Sequence, residues 1–582
     1  MSSMTIIDPS VLEKANAWLG YPVDDAFKAE IHKMMAADNS DNLIDSFYKD
    51  LEFGTGGLRG IMGVGSNRVN QYTLGMATQG FANYLNEAFS DLDQIKVAIA
   101  YDSRNNSQRF GEITASVFSA NGIKVYLFEE LRPTPELSYA IRKLGCQGGV
   151  VLTASHNPKE YNGYKAYWDD GGQVTPPHDK NIVSQVANLT VSDVKFEANE
   201  ALIERISTLI DEPYLEQIMT NVVSPDVIER QKDLKIVFSP IHGTGITMVP
   251  PVLKKLGFTS VHVVEEQSNP DGNFPTVVYP NPEESEAMSM ALKLAQEIDA
   301  DVLLGTDPDS DRVGMGVKNH HGEWQLLNGN QAASLMIYYL LKAWKESGKL
   351  NGNQYICKTI VTTDLLDKMA THFGVDSINV LTGFKYIAEV LKHHEGKREF
   401  IGGGEESYGY LVGDFVRDKD AIISCAMLSE VVAYAKDQGL SLFDMLMEIY
   451  QQFGMYREGL ISLKRGGKKG AEEIQQMMAD LRSNPPAEIQ GSKVIAMRDY
   501  KSGEEKDLVN GTVSSLPFPA SNVLQFFTED GTKVSARPSG TEPKIKFYFA
   551  VNAPLESKEQ FDAVYASLGE KIDGIIEEMG LK

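Results

Sequence analysis

Apolar, β-branched runs recur along this chain, each closed by a glycine- or proline-marked turn and followed by a helical pattern. They read IKVAIAYDSR (95–104), IKVYLFEE (123–130), GGVVLTASHNP (148–158), LKIVFSPIHGTG (234–245) and DVLLGTDPDSD (301–311). Strands this continuously apolar belong to sheets covered on both faces, which βα units build. A second strand follows several of them after a helix, as SVHVVEE follows IVFSPIHGTG and DSINVLTG follows YICKTIVTT. The pattern predicts three successive, related α/β domains with mixed, mostly parallel sheets, at 1–208, 209–327 and 328–454.

After residue 455 the texture changes. LKRGGKKGAEEIQQMMADL leads to the strand-like NVLQFFTED and KIKFYFAV, predicting a smaller α+β domain at 455–582, with 464–470 an exposed loop. Several domains are what 582 residues require, since one hydrophobic core rarely serves more than about 250–300. Hydrophobic residues at 42% supply the cores.

A formal net charge of −25 argues against a nucleic acid or an anionic membrane as partner, so any anion site must be assembled locally from Arg, Lys and backbone N–H groups. Cys146, Cys357 and Cys425 have no metal-ligand spacing and suit a reducing compartment. The first twenty residues lack a signal-peptide pattern, and no apolar run reaches a membrane span. The expectation is a cytoplasmic protein.

The chemistry-bearing stretches sit at predicted strand ends, where α/β folds collect ligands. TASHNP places Ser155 beside His156 in a turn, without the G-x-S-x-G of a hydrolase elbow. GTDPDSDRVG spaces Asp307, Asp309 and Asp311 by two, an oxygen-only set suited to Mg²⁺ or Ca²⁺. An EF-hand is excluded, because Arg312 and Lys318 stand where Gly and Glu are needed. GGGEESYGY offers Glu405, Glu406 and Ser407 to a polyhydroxylated ligand. RPSGTEP brings together Arg537, Ser539, Gly540 and Thr541, donors for a phosphate. GGKKG is not a P-loop, and EFGTGGLRG, with Arg59, fails the dinucleotide fingerprint.

TASHNP, DPDSDR, GEES and RPSGTEP in this order resemble the α-D-phosphohexomutase family over nearly the whole chain. The resemblance implies four domains around a central cleft and a phosphoryl group carried on Ser155. It implies one Mg²⁺ held by Asp307, Asp309 and Asp311 with an oxygen of that phosphate. Lys165, in NPKEYNGYK, matches the family's general acid/base, and nearby arginines with partial burial are expected to lower its pKa. Arg59 and His156 match positions beside the phosphoserine, and Arg312 follows the metal loop. Glu405 and Ser407 match sugar-hydroxyl contacts, and Arg537, Ser539, Gly540 and Thr541 the distal phosphate site. Gly383 and Lys385 in LTGFKY and Lys419 in RDKD match further substrate contacts.

Two departures are visible. Gly56 replaces the serine of a GTSG turn, and GEESYG replaces GEMSGH. The second favours glucose over mannose phosphates, while DLEFGTGGLRG also resembles the branch holding phosphopentomutases and glucose-1,6-bisphosphate synthases. The expected reaction interconverts α-D-glucose 1-phosphate and glucose 6-phosphate through glucose 1,6-bisphosphate, which also serves as activator. Pentose and mannose phosphates are the alternative substrates, a non-catalytic sugar-phosphate binder is the alternative class, and the expected state is monomer or homodimer.

Overall fold

In the computed structural model, residues 7–37, 39–54, 56–465, 467–539 and 544–581 are described. Three mixed sheets follow one another, and a fourth, antiparallel sheet closes the chain.

In the first sheet, strands Gly148–Leu152, Lys96–Tyr101, Lys124–Phe128 and Ile203–Ile206 run parallel. Tyr161–Trp168 pairs antiparallel with Gly148–Leu152, and Gly57–Ile61 antiparallel with Tyr161–Trp168. The apolar runs behave as their composition requires: all of Gly148–Leu152 and all but the first residue of Lys96–Tyr101 are buried. The second sheet orders Trp324–Leu327, Val313–Lys318, Val302–Thr306, Lys235–Ser239 and Ser260–Val263, its last three strands parallel. The third runs Asp376–Val380, Gln354–Thr359, Glu399–Glu405 and Gly409–Val412.

The C-terminal sheet pairs Met455–Lys464, Lys544–Ala553, Lys533–Pro538, Leu524–Thr528 and Ser492–Asp499 in succession. Helix Phe561–Glu578 packs on it. Of residues 464–470, expected as a loop, Lys464 ends a strand and 467–470 begin helix Gly467–Ser483. The physical reason is downstream: Ile474 and Met478, one turn apart, bury an apolar face that draws residues 467–470 into the first turn.

One contiguous core runs from Ala98 in the first sheet to Leu581. A separate cluster holds the N-terminal helices Pro9–Gly20, Asp25–Met35 and Asp41–Phe47 against Tyr72. Trp18 stacks on Phe27 at 5.5 Å between centroids, and Asp24 caps the second helix by accepting from Phe27 N. All three cysteines are buried and free.

Candidate active site

Ser155 follows strand Gly148–Leu152 in the left-handed region, at φ 53°, and is 3% exposed. Its backbone N–H donates to Thr153 Oγ1 at 2.8 Å, and Thr153 Oγ1 donates to Asp102 Oδ2 at 2.6 Å. Arg104, from the YDSR end of the neighbouring strand, supplies the rest of the mould. Its guanidinium donates to the carbonyl oxygens of Ser155 (2.6 Å), Pro158 (2.9 Å) and Tyr161 (3.1 Å) and pairs with Asp102 at 3.3 Å. A loop with no ladder of its own is thereby held from inside.

The hydroxyl so placed meets the aspartate loop of the second sheet. Ser155 Oγ donates to Asp307 Oδ2 at 2.9 Å and lies 3.1 Å from His156 Nδ1. Enclosure, with Arg312 and Arg59 close by, pushes the His156 imidazole well below its ordinary value, so it is neutral. Arg59 is open to the site, donates to Asn157 Oδ1 at 3.3 Å, and senses Asp309, Asp311 and Asp307.

Asp307, Asp309 and Asp311 are buried, with one oxygen of each inside a 4.8 Å cluster. Asp307 Oδ1 accepts from Asp311 N (3.1 Å) and Arg312 N (3.0 Å), which curls the loop around it. Burial, reinforced by Asp309 and Asp311, holds its carboxyl well above the usual range. Asp309 is gripped by the start of helix Thr134–Leu144: Thr134 N donates to its carbonyl at 2.9 Å and Thr134 Oγ1 to Oδ2 at 3.0 Å. The positive end of that helix favours an anion there.

Two lysines close the cluster. Lys165 Nζ lies 2.6 Å from Asp309 Oδ2 and 3.1 Å from Asp311 Oδ2, and Lys419 Nζ 3.1 Å from Asp311 Oδ2. Burial alone would lower the Lys165 ammonium, but Asp309 and Asp311 outweigh it and hold its pKa above the ordinary value. The expectation of a lowered lysine is therefore corrected: its nearest charges are carboxylates, not arginines. For Asp311, burial raises and Lys165, Lys419 and Arg312 more than reverse it, leaving a persistent carboxylate.

Arg312 pairs with Glu283 at 2.5 Å. From the third sheet, Glu405 Oε1 accepts from Gly383 N at 3.0 Å, and Glu406 Oε2 from Thr359 and Thr362 hydroxyls, each at 3.2 Å. Ser407 is half-buried in the same turn, and half-buried Lys385 lies over the Tyr386 ring. In the C-terminal domain, burial raises the pKa of the Tyr548 hydroxyl, and Glu406 of the third domain and Arg537 both act on it. Ser539 N donates to Lys544 O at 2.7 Å. Gly540 and Thr541 lie outside the described residues.

Three family models match: phosphoglucomutase/phosphomannomutase alpha/beta/alpha domain I at residues 50–192, domain II at 212–322 and domain III at 328–453. Phosphoglucomutase of Staphylococcus epidermidis is 37% identical over 528 residues, covering 90% of this chain and 93% of its own. That of Staphylococcus haemolyticus is 36% identical over 540 residues, covering 92% and 96%. The chain belongs to the α-D-phosphohexomutase family. Solved structures carry the same fold. An open form of Paramecium pp63/parafusin, a phosphoglucomutase, superposes with a TM-score of 0.67 at 18% identity, covering 91% of this chain and 96% of its own. A phosphoglucomutase/phosphomannomutase family protein of Burkholderia thailandensis gives 0.65 at 17%, covering 91% and 97%.

The donor set of this phosphohexomutase fits a divalent cation. Asp309 Oδ1 and Asp311 Oδ1 are buried with no hydrogen-bond partner among the described residues, a state that costs free energy unless a cation is bound. Residues that sequence reasoning passed over complete the site: Arg104, Thr134, Asp418 and Asp420. Asp418 accepts from Tyr167 OH at 2.6 Å, and Asp420 caps helix Ala421–Asp437 while accepting from Tyr214 OH at 2.7 Å. The signal for Arg104, Asp418 and Asp420 was present in YDSR and RDKD, charged residues at strand and helix ends.

Proposed function

We propose that this chain interconverts α-D-glucose 1-phosphate and glucose 6-phosphate, with Ser155 as phosphoryl carrier and glucose 1,6-bisphosphate as the intermediate that turns around. The observation carrying this reading is Ser155 Oγ at 2.9 Å from Asp307 within the buried carboxylate cluster. A hydroxyl so placed puts a transferred phosphoryl group against whatever cation the aspartates hold. Asp307, Asp309 and Asp311 would hold Mg²⁺, which when bound neutralises charge on the transferring oxygens.

In the first half-reaction the sugar's free hydroxyl attacks phosphorus, the P–Oγ bond of Ser155 breaks, and the hydroxyl proton moves to a base. Lys165 is our candidate for proton handling. As an ammonium beside Asp309 and Asp311 it can give a proton to a leaving oxygen. To act as the base it must first release that proton to solvent, which engagement of those carboxylates by a cation would favour, and it then accepts the proton of the attacking hydroxyl. Arg59 and neutral His156 orient the serine's phosphoryl group. Glu405 and Ser407 accept and donate to sugar hydroxyls, assisted by Gly383, Lys385 and Lys419. Arg312 and the loop of Arg537, Ser539, Gly540 and Thr541 take the substrate's own phosphate. The setting is the cytoplasm, in keeping with three free thiols.

The deciding experiment compares glucose, mannose and ribose 1-phosphates in a coupled assay, with wild-type and Ser155→Ala protein, a bisphosphate activator and Mg²⁺. Glucose 1-phosphate should turn over fastest, Ser155→Ala should lose turnover, and chelation should stop it. Undiminished activity in Ser155→Ala overturns the carrier assignment, and a faster ribose reaction overturns the substrate.

A further inference from the structure

His320 and His321 lie in the turn between strands Val313–Lys318 and Trp324–Leu327, and Asp562 in the first turn of helix Phe561–Glu578. They belong to the second sheet and the C-terminal domain and take no part in the site described above. Both imidazoles converge on one carboxylate oxygen: Asp562 Oδ2 is 3.1 Å from His320 Nε2 and 2.9 Å from His321 Nε2. The three ligand atoms lie within 4.8 Å of one another. Behind them, His320 is stacked on Phe443 at 5.5 Å and meets Phe561 edge-on at 5.3 Å, so the turn is held in place by packing as well as by charge. His321 and Asp562 are open to solvent, with side chains 55% and 62% exposed.

We propose that His320, His321 and Asp562 form a second metal site, for a zinc-class ion, that fastens the second sheet to the C-terminal helix. Two imidazole nitrogens and one carboxylate are a zinc donor set with one position left for water, whereas Mg²⁺ prefers oxygen alone. Donor atoms about 2.0–2.1 Å from a tetrahedral ion stand roughly 3.3 Å apart, close to the separations from Asp562 already present. Binding places the imidazole protons on Nδ1. For His320 that atom is buried and has no hydrogen-bond partner among the described residues, a cost the ion must offset. The consequence is mechanical. The helix tied down belongs to the domain that carries Arg537, so zinc restrains that domain relative to the aspartate loop.

The test titrates Zn²⁺ alone into the full-length protein in excess Mg²⁺, against His321→Ala and Asp562→Asn. Neither substitution touches the proposed catalytic residues, so Mg²⁺-supported turnover without zinc should stay at the wild-type level. Wild type should bind one more zinc ion than either variant, or bind it at least about tenfold more tightly, and only its melting temperature should rise with zinc. Equal zinc stoichiometry and affinity in all three proteins would overturn the site. Zinc bound by wild type alone, with no effect on melting, would overturn the fastening.

Discussion

Arg104 shows how much one side chain settles here. It is buried and organises the carbonyls around Ser155 while neutralising buried Asp102. Removing one partner of such a pair strands the other charge, at a cost of about 3–5 kcal/mol. Arg104→Met should lose that much stability in urea and at least about tenfold in kcat, as the serine loop relaxes. Adding Asp102→Asn should restore part of the stability and little of the rate. An Arg104→Met protein with wild-type melting and turnover would remove the clamp from the account. Asp309→Asn tests the neighbouring cluster. It should weaken Mg²⁺ activation at least about tenfold, read as a raised metal requirement in the assay.

At the scale of elements, strand Gly57–Ile61 decides where two functional side chains stand. Its register sets Gly57 opposite Lys165 and Arg59 opposite Gly163. Gly56 adopts φ 97°, a backbone that favours glycine. Gly57 is more constrained: at φ 139°, a Cβ there would lie 1.8 Å from Tyr164 O. Gly57→Ala must push the two strands apart, moving Arg59 and Lys165 together. We expect a loss of at least about 2 kcal/mol in thermal unfolding and a larger fractional fall in kcat/KM than the stability loss explains. Full activity in Gly57→Ala would mean that the register does not position the site.

The whole molecule depends on how the C-terminal sheet docks on the third. Lys533 reaches Asp364 at 2.6 Å, Gln525 Nε2 donates to Ile360 O at 2.9 Å, and Ile360, Leu381, Tyr500 and Tyr548 share an apolar cluster. Glu458 sits at this junction with Oε1 buried and without a hydrogen-bond partner among the described residues. Burial, against help from Thr363 and Lys533, pushes its carboxyl from 4.5 up to about 7. Between those values the folded chain keeps a proton that the unfolded chain has released. The stabilisation is therefore full below about pH 4.5 and is lost as the pH rises through 7. Glu458→Gln should flatten that loss, gaining about 3 kcal/mol relative to wild type between pH 5 and pH 8 in urea unfolding. Parallel pH profiles for the two proteins would refute it.

What the sequence determined by itself was local: strands from β-branched runs, turns from glycine and proline, and loops rich in chemistry at strand ends. Side-chain periodicity and backbone sterics act between near neighbours, so IKVAIAY and GGVVL announce buried strands without knowledge of the rest. The order of four short motifs carried the family for the same reason. The tertiary structure alone decided what those motifs do to one another. Ser155 and Asp307 are 152 residues apart yet share a hydrogen bond, and Asp311 joins Lys165 of the first sheet to Lys419 in the loop after the third. It also reversed the expected charge behaviour of Lys165, because a pKa follows the field of every nearby group through space, whatever its place in the chain. Arg104, read beforehand only as the end of a strand, became the centre of a mould once three chain segments folded around it.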